Sequence, residues 1–401
     1  MTVKGKHNTA ICYTDELEHT AHEQIKGMVN DPTFAGSKIR IMPDVHAGMG
    51  CTIGTTMTVT DKIAPSMVGV DIGCGMYAVS LGDAEIDLAA FDEAAHALPS
   101  GRGVWNDPIA DFDFTRLRCH KEIKRLSYSA CSLGTLGGGN HFIELDRDEE
   151  GLVYLVIHSG SRYLGGQVAE HYIDVAMDIT ADREGYLRER EETIRTFKKT
   201  GKEQQIQPTL RKLESAWVTR RNTLPRDRSC VSGQALEDYL HDVDVCVDFA
   251  KRSRELMASF LLEKVGITPK DAFHTIHNYI DVEHRILRKG AISAQKGERV
   301  LIPINMRDGS LICIGKGDPD WNYSAPHGAG RLYSRAGARA RLTLEEYKKE
   351  MRGIYSTSVN LSTIDESPMA YKSLHDIVRN IRPTCTIVNR LTPIYNFKAS
   401  N

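Results

Sequence analysis

Short apolar runs separated by glycine and proline make up much of residues 38–82. The runs KIRIMPDV, TIGTTMTVTDKI and SMVGVDIGCGMYAVSL predict strands, because turn residues bound them. Two longer apolar stretches, CSLGTLGGGNHFIEL and LVYLVIHSGSR, flank the charged turn DRDEEG, which predicts a β-hairpin. Further strands are expected in AFHTIHNYIDVEH, RILRKGAISAQKGERVLIPI and SLICIGKG.

Other parts of the chain have the polar and apolar pattern of helices. Residues 85–130 predict a mainly helical, polar stretch with a loop around Pro99 to Pro108. Residues 165–265 predict a helical excursion whose densely charged middle indicates solvated helices or a lid. In SAPHGAGRLYSRAGARARL we expect a helix to begin just after His327. The whole pattern favours a mixed α/β (α+β) fold in one domain, residues 1–401, with the helical excursion at about 165–265 inside it.

Composition narrows the class of protein. Hydrophobic residues make up 41% and charged residues 26% of the 401 residues, which is typical of a folded globular protein. The N-terminus lacks the apolar core of a secretory signal and no uncharged apolar run could span a bilayer, so we expect a cytoplasmic protein without a membrane partner. A net charge of −2 argues against coating of nucleic acid by bulk attraction but allows a local basic groove.

Candidate chemistry is concentrated beside glycines. In GVDIGCGM one carboxylate and one thiol stand three residues apart, and four histidines occupy similar contexts at predicted strand ends. A lone histidine is usually a core or turn residue, but four recurrences together argue against that interpretation. A thiolate, imidazoles and a carboxylate suit zinc, manganese or iron. The residues are Asp71, Cys74, His141, His158, His277 and His327.

Glycine-rich turns and arginines suggest phosphate binding. LGTLGGGN and HGAGR would let backbone N–H groups approach anionic oxygens, and a helix beginning after His327 would place its N-terminus there. Arg331, Arg335 and Arg339 recur at a spacing of four residues, which places them on one helical face. A solvated basic face is the alternative, above all for Arg339.

A set of motifs in order along most of the chain resembles the RtcB-type RNA ligases. They are PDVHAGMGCTIG, GVDIGCGM, LGTLGGGNHFIEL, HSGSR, HNY, RKGAISA, HGAGR and PMAYK. The resemblance implies the mixed α/β fold of that family, with a central cleft for two Mn²⁺ ions. It also implies GTP-driven joining of RNA 3'-phosphate or 2',3'-cyclic phosphate ends to 5'-hydroxyl ends, in tRNA splicing or RNA repair, with a possible protein activator.

The resemblance also implies roles for individual residues. Cys74 would bridge the two ions, Asp71 and His141 would complete one ligand set, and His158 and His277 the other. His327 matches the nucleophile that becomes covalently guanylylated. The positions implied for the nucleotide are Asn140, Phe142, Glu144, Asn305, Ser310, Gly328, Ala329, Gly330, Tyr371 and Lys398, and those for RNA or phosphate are Arg162, Lys289, Arg331 and Arg335.

The sequence departs from the family pattern in two places. Where family members commonly read PGSMG, residues 303–309 read PINMRDG, and Met49 stands where a lysine is often found. The side chains of Ile304 and Arg307, in place of glycine, would hinder close approach of the backbone to a nucleotide. These departures leave the nucleotide and the substrate open, with a metal-dependent phosphodiesterase or RNA end-processing hydrolase, or a non-catalytic RNA-end binding protein, as alternatives.

Overall fold

The computed structural model describes residues 1–398 and shows a mixed α and β chain. Its strands are β1 (Thr2–Lys4), β2 (Thr9–Cys12), β3 (Ile39–His46), β4 (Ile53–Thr58), β5 (Lys62–Ile63), β6 (Cys74–Gly82), β7 (Phe142–Arg147), β8 (Val153–Ser159), β9 (Val231–Ser232), β10 (Asp271–Asp281), β11 (Ile286–Lys289), β12 (Ala291–Ser293), β13 (Arg299–Asn305), β14 (Gly309–Gly315), β15 (Ser324–Pro326) and β16 (Cys385–Lys398). Its helices are α1 (His19–Val29), α2 (Leu88–Ala97), α3 (Leu126–Ser132), α4 (Arg162–Thr180), α5 (Arg183–Lys199), α6 (Ile206–Thr223), α7 (Gly233–Val265), α8 (Arg335–Arg341), α9 (Leu344–Glu350) and α10 (Leu374–Ile381).

One large sheet organises the fold. Within the described residues it has twelve strands in the order β1-β2-β3-β4-β11-β10-β6-β8-β7-β16-β14-β13. Strands β7 and β8 pair antiparallel across their tight turn, which confirms the predicted hairpin. The large sheet and the surrounding helices confirm the mixed α/β fold class.

The long helix α7 packs against the centre of this sheet. It contacts β6, β8 and β10, and it buries an apolar stripe that includes Leu240, Val243, Phe249 and Met257. Burial of such a stripe is the main stabilising term for a helix on a sheet. The same helix carries the fully buried Arg254 to the ends of β6 and β8.

Two helix predictions are wrong. Between residues 85 and 130 the only α-helices are α2 and α3. Beyond the expected loop, residues 109–125 form turns and one short 3-10 helix, Phe114–Arg116, where the Asp113 side chain accepts from the Thr115 N–H; Asp favours such local turns over a continuing α-helix. The helix expected just after His327 begins at Arg335 instead, where the Ser334 side chain accepts a bond from the Gly337 N–H. Gly328 and Gly330 explain the delay, since Gly330 adopts a positive φ of 68° that a right-handed helix excludes.

The stretch predicted as a helical excursion holds α4, α5, α6 and α7. Neither α5 nor α6 contains a buried residue, so both lie at the surface. Among residues 1–398, no helix combines the length and the apolar character needed to cross a membrane.

Candidate active site

Four neighbouring strands bring the sulfur and the imidazoles together. Cys74 begins β6, His158 lies near the end of β8, and β6 and β8 are adjacent. His141 directly precedes β7, the next strand on one side. His277 lies in β10 on the other side, where the pairing register with β6 shifts between Ile276 and Asn278. Such an irregularity re-aims a side chain, here toward the cluster.

The thiol of Cys74 stands between two pairs of side chains. Its Sγ lies 3.2 Å from Nε2 of His158 and 3.6 Å from Nε2 of His141. His141 Nε2 is in turn 3.2 Å from Oδ2 of Asp71, and His158 Nε2 is 3.3 Å from Nε2 of His277. The structure therefore groups the five residues as Asp71 with His141, and His158 with His277, with Cys74 common to both.

Backbone carbonyls fix two of these imidazoles in one tautomer. Nδ1 of His141 lies 2.9 Å from the Leu136 oxygen, and Nδ1 of His158 lies 3.0 Å from the Asn140 oxygen. A carbonyl only accepts, so each Nδ1 carries a hydrogen, and Nε2 is the ring atom that faces the cluster. Metal-binding histidines are oriented in the same way.

The turn that carries Asp71 is closely packed on its neighbours. The Arg254 guanidinium donates to the carbonyls of Gly73, at 2.9 Å, and Ser159, at 2.6 Å. Asn278 donates to the Asp71 carbonyl at 2.7 Å. A Cβ at Gly160 would lie 2.0 Å from Oδ1 of Asp71, so only glycine allows this approach. Arg254 was not among the residues picked from the sequence.

Electrostatics hold most of the cluster in forms suited to a cation. Burial, reinforced by the neighbouring His141, keeps the pKa of His158 well below its usual value, and burial together with His158 does the same for His277. Although desolvation opposes it, the His141 hydrogen bond and charge lower the pKa of Asp71 to about 2. Burial and then Asp71 raise the pKa of the Cys74 thiol, an effect that a bound cation reverses.

The donor set fits a transition-metal site. The ligand atoms of Cys74, His141 and His158 all lie within 4.8 Å of one another, and a thiolate with imidazoles is a soft and borderline set that suits several divalent metals. Nδ1 of the buried His277 has no hydrogen-bond partner within residues 1–398.

His327 lies beside this cluster and is held by a carboxylate. It follows β15 directly, and its ring centroid is 5.1 Å from that of His277. Its Nδ1 is 2.7 Å from Oδ2 of Asp44, which also accepts the His327 backbone N–H at 3.1 Å. Because a carboxylate accepts, the imidazole donates through Nδ1 and its lone pair is on Nε2. Asp44, in the PDVHAG motif, was not singled out from the sequence.

A cavity of about 330 Å³, which we call the Phe142 cavity, opens on one side of His327. Most residues that the resemblance implies for a nucleotide line it, and His46, Glu366 and Asn396 line it too. The implied residues in its wall are Asn140, Phe142, Glu144, Asn305, Gly328, Ala329, Gly330, Tyr371 and Lys398.

Glu366 is the centre of the charged wall of the Phe142 cavity. Its carboxylate accepts from Lys398 Nζ at 2.9 Å and from the Tyr371 hydroxyl at 2.6 Å, and Arg331 contacts it at 3.2 Å. Burial opposes ionisation, but Lys398, Arg335 and Arg331 together lower the pKa of Glu366 to about 2. The cavity therefore has a fixed network of charges, and its central acid was not predicted.

A second acidic group faces the same cavity. The Glu144 carboxylate accepts a hydrogen bond from Asn396 Nδ2, at a distance of 2.5 Å, and burial raises its pKa to about 7. Lys398 Nζ lies 5.3 Å from the centre of the Phe142 ring. An aromatic face, a carboxyl group and an ammonium group thus converge in one concave space.

The polar groups of Asn305 and Ser310 are less available to a bound nucleotide. Asn305 lines the Phe142 cavity, but its side-chain oxygen accepts the backbone N–H groups of Arg307 and Asp308, and its nitrogen donates to Asp308. Ser310 is fully buried and does not line the cavity. The altered loop therefore uses its polar groups to hold its own turn.

A second space of about 630 Å³, the Lys289 groove, opens on the other side of His327. Lys289 Nζ donates to the Met49 carbonyl at 2.6 Å, while the Met49 side chain is 75% exposed at the groove. Asp71, Cys74 and His277 are among the residues that line it. His327 and His277 line both the groove and the Phe142 cavity.

The implied phosphate-binding arginines lie elsewhere. Arg331 and Arg335 line the Phe142 cavity and pair with Glu366, at 3.2 and 3.3 Å. Arg162 lines neither space: its guanidinium donates to the Gly101 carbonyl and fills the place where a Cβ of Gly137 would be. Of the four residues implied for RNA or phosphate, only Lys289 lines the groove.

Comparison with known proteins accords with this geometry. The family model described as "tRNA-splicing ligase RtcB" matches residues 24–107 and 115–399. The chain is 29% identical to the RNA-splicing ligase RtcB of Escherichia coli strain K12 over 90% of both chains. It is 27% identical to a tRNA-splicing ligase RtcB of Aeropyrum pernix, over 84% of this chain and 83% of the relative. It is 26% identical to the tRNA-splicing ligase RtcB of Archaeoglobus fulgidus, over 94% of this chain and 91% of the relative. The match covers most of the chain, so this protein belongs to the tRNA-splicing ligase RtcB family.

Proposed function

We propose that this protein is an RNA ligase that joins 3'-phosphate or 2',3'-cyclic phosphate ends to 5'-hydroxyl ends, in tRNA splicing or RNA repair. Membership of the family and the RNA-splicing and tRNA-splicing ligase names of its relatives support this reaction class. We further propose GTP as the energy source and a guanylylated His327 as the intermediate.

The position of His327 is the observation that carries the proposal. It lies at the junction of the Phe142 cavity and the Lys289 groove. One space would hold a nucleotide and the other an RNA end, so a single imidazole could meet each in turn. Its Nδ1 is occupied by Asp44, which leaves Nε2 as the nucleophile.

The first step forms a bond between His327 and the nucleotide. Nε2 attacks the α-phosphorus of GTP, the bond from that phosphorus to the bridging oxygen breaks, and pyrophosphate leaves. Asp44 stabilises the positive charge that develops on the imidazole. Glu144 and Lys398 would hold the base, and Phe142 would stack on it.

The second and third steps take place from the Lys289 groove. The RNA 3'-phosphate oxygen attacks the same phosphorus and displaces His327, so the guanylyl group moves to the RNA. The 5'-hydroxyl then attacks the RNA phosphate and GMP leaves, which closes the phosphodiester. A cyclic phosphate end is first hydrolysed to a 3'-phosphate.

The metal centre would serve both spaces. Asp71, Cys74, His141, His158 and His277 would hold two Mn²⁺ ions, which when bound neutralise phosphate charge near the nucleophile. Within the chain itself, the carbonyls of Leu136 and Asn140 keep two of these imidazoles aimed.

A joining assay tests the proposal. One RNA with a labelled 5' end and a 3'-phosphate is mixed with an RNA bearing a 5'-hydroxyl, the protein, Mn²⁺ and GTP. We expect a joined product that requires GTP and is absent with His327→Ala. Conversion of a cyclic end to a 3'-phosphate without GTP and without joining would favour the hydrolase, and tight binding of RNA ends without turnover would favour the binding protein.

A further inference from the structure

Helices α5 and α6 form an antiparallel hairpin, residues 183–223, that is not packed into the core. None of their residues is buried. The hairpin is held together by contacts between the two helices, among them Tyr186 stacked on Trp217 with ring centroids 5.3 Å apart. Such an arm adds little to the stability of the body, since it buries little apolar area against it.

The charges near the root of the hairpin are used to attach it to α4. Arg221 pairs with Asp174 at 3.0 Å and with Asp178 at 2.6 Å. Arg183 pairs with Asp178 from the other helix of the hairpin. These arginines are therefore occupied by structural ion pairs.

The distal half of the hairpin, residues 195–212, has a different balance of charge. It contains six basic residues and one acidic residue, a net charge of +5, whereas the whole chain carries −2. The rest of the protein is therefore at −7. In the root half, acidic and basic residues are equal in number, so the positive charge is concentrated at the tip. The basic residues are Arg195, Lys198, Lys199, Lys202, Arg211 and Lys212.

These six side chains do not contribute to the fold through ion pairs. All are exposed, and the ion pairs found within residues 1–398 include none of them. Like charges placed this close repel one another. A concentrated positive surface without internal partners is complementary to the phosphate backbone of a nucleic acid.

We propose that the distal half of the α5–α6 hairpin binds the phosphate backbone of the RNA substrate at a distance from the ends being joined. This inference rests on the proposed function for the identity of the RNA. The hairpin follows α4, which begins at Arg162 near the metal cluster and runs for 19 residues, or about 28 Å. The hairpin is thus suited to contact the body of a folded RNA and to increase the affinity of the protein for that RNA, without taking part in the reaction.

The test compares Lys198→Gln/Lys199→Gln/Lys202→Gln with the matched control Lys4→Gln/Lys6→Gln/Lys270→Gln. The control removes the same charge from three exposed lysines of the body. Affinity for a tRNA-sized RNA is measured between 50 and 200 mM salt. Each lost phosphate contact should lower the slope of log affinity against log salt by about 0.7 to 0.9.

We expect the tip variant to lose about 2 units of slope and on the order of tenfold in affinity at the lowest salt, while the control matches wild type. Covalent labelling of the protein by GTP should be unchanged in both variants, which separates this inference from the proposed function. Equal affinities and slopes for the tip variant and wild type would overturn the inference, and would leave a protein partner as the explanation for the charged tip.

Discussion

At the scale of single residues, the contact between His327 and Asp44 supports the proposed role of the imidazole as a nucleophile. The 2.7 Å contact fixes both the tautomer and the ring orientation. Asp44 comes from β3 and His327 from the end of β15, 283 positions apart in the chain. A side chain that orients another in this way contributes to rate without contacting the substrate.

Asp44→Asn should therefore slow covalent labelling by GTP on the order of 10²- to 10⁴-fold, because the amide no longer stabilises the charged imidazole. RNA affinity should stay near that of wild type. Single-turnover labelling measured across a range of pH gives the rate and its profile. Asp83→Asn, at an exposed site, is the control, and equal labelling rates for Asp44→Asn and wild type would rule out the role given to Asp44.

Glu366 gives a second prediction at this scale. Its folded-state pKa of about 2 lies below the ordinary value of 4.5, so its contribution to stability is complete above about pH 4.5 and is lost as the pH falls toward 2. The shift corresponds to on the order of 3 kcal/mol. Glu366→Gln should be less stable than wild type at pH 7, and the difference should narrow below about pH 4.5.

Denaturant unfolding of wild type and Glu366→Gln at a series of pH values measures this difference directly. Only the difference between the two proteins matters, because other carboxylates titrate in the same range in both. A difference that stays constant from pH 7 to pH 3 would contradict the ionised, paired state of Glu366.

At the scale of elements, strand ends and the turns beside them bring together the residues of the proposed metal centre. The strand order β10-β6-β8-β7 places three histidines around the sulfur that begins β6, and Gly160 at the end of β8 leaves room for Asp71. Gly160 is needed here because it has no side chain, and not for its backbone conformation. A methyl group at Gly160 would displace the Asp71 carboxylate from the cluster.

Gly160→Ala should reduce metal affinity by about 10- to 100-fold, as loss of a supporting contact does at other metal sites. Gly166→Ala in α4 is the matched control, since an added Cβ there meets nothing within 4 Å. Competition with a metal-binding dye measures the affinity of each variant. Unchanged affinity in Gly160→Ala would show that Asp71 does not depend on this space.

Much of this element-scale picture could be predicted from the sequence, for a physical reason. Cys74, His141 and His158 are each next to a strand terminus that glycine marks in the sequence, so local pattern located them. The prediction of a helix start just after His327 was wrong. The two glycines of HGAGR, which suggested phosphate binding, also delay the helix, so that it begins at Arg335. Asp44, Arg254 and Glu366 were missed because their roles arise from contacts between distant segments.

At the scale of the whole molecule, two spaces meet at His327 and His277, which line both. The Phe142 cavity is lined by a carboxyl group, an ammonium group and an aromatic ring, and the Lys289 groove by a buried lysine and three residues of the proposed metal centre, Asp71, Cys74 and His277. No local pattern predicts this junction, since its walls come from residues that span most of the chain. The basic tip of the α5–α6 hairpin adds a third surface with its own charge.

The measurement that tests the proposed chemistry most directly is covalent labelling with GTP that carries its label on the α-phosphate. The protein is incubated with Mn²⁺ and labelled GTP, denatured, and examined by electrophoresis and peptide mapping. We expect an acid-labile label on His327 of wild type and no label with His327→Ala or Cys74→Ala. Absence of label from wild type with GTP, or a label that persists in His327→Ala, would contradict the assignment of His327 as the nucleophile.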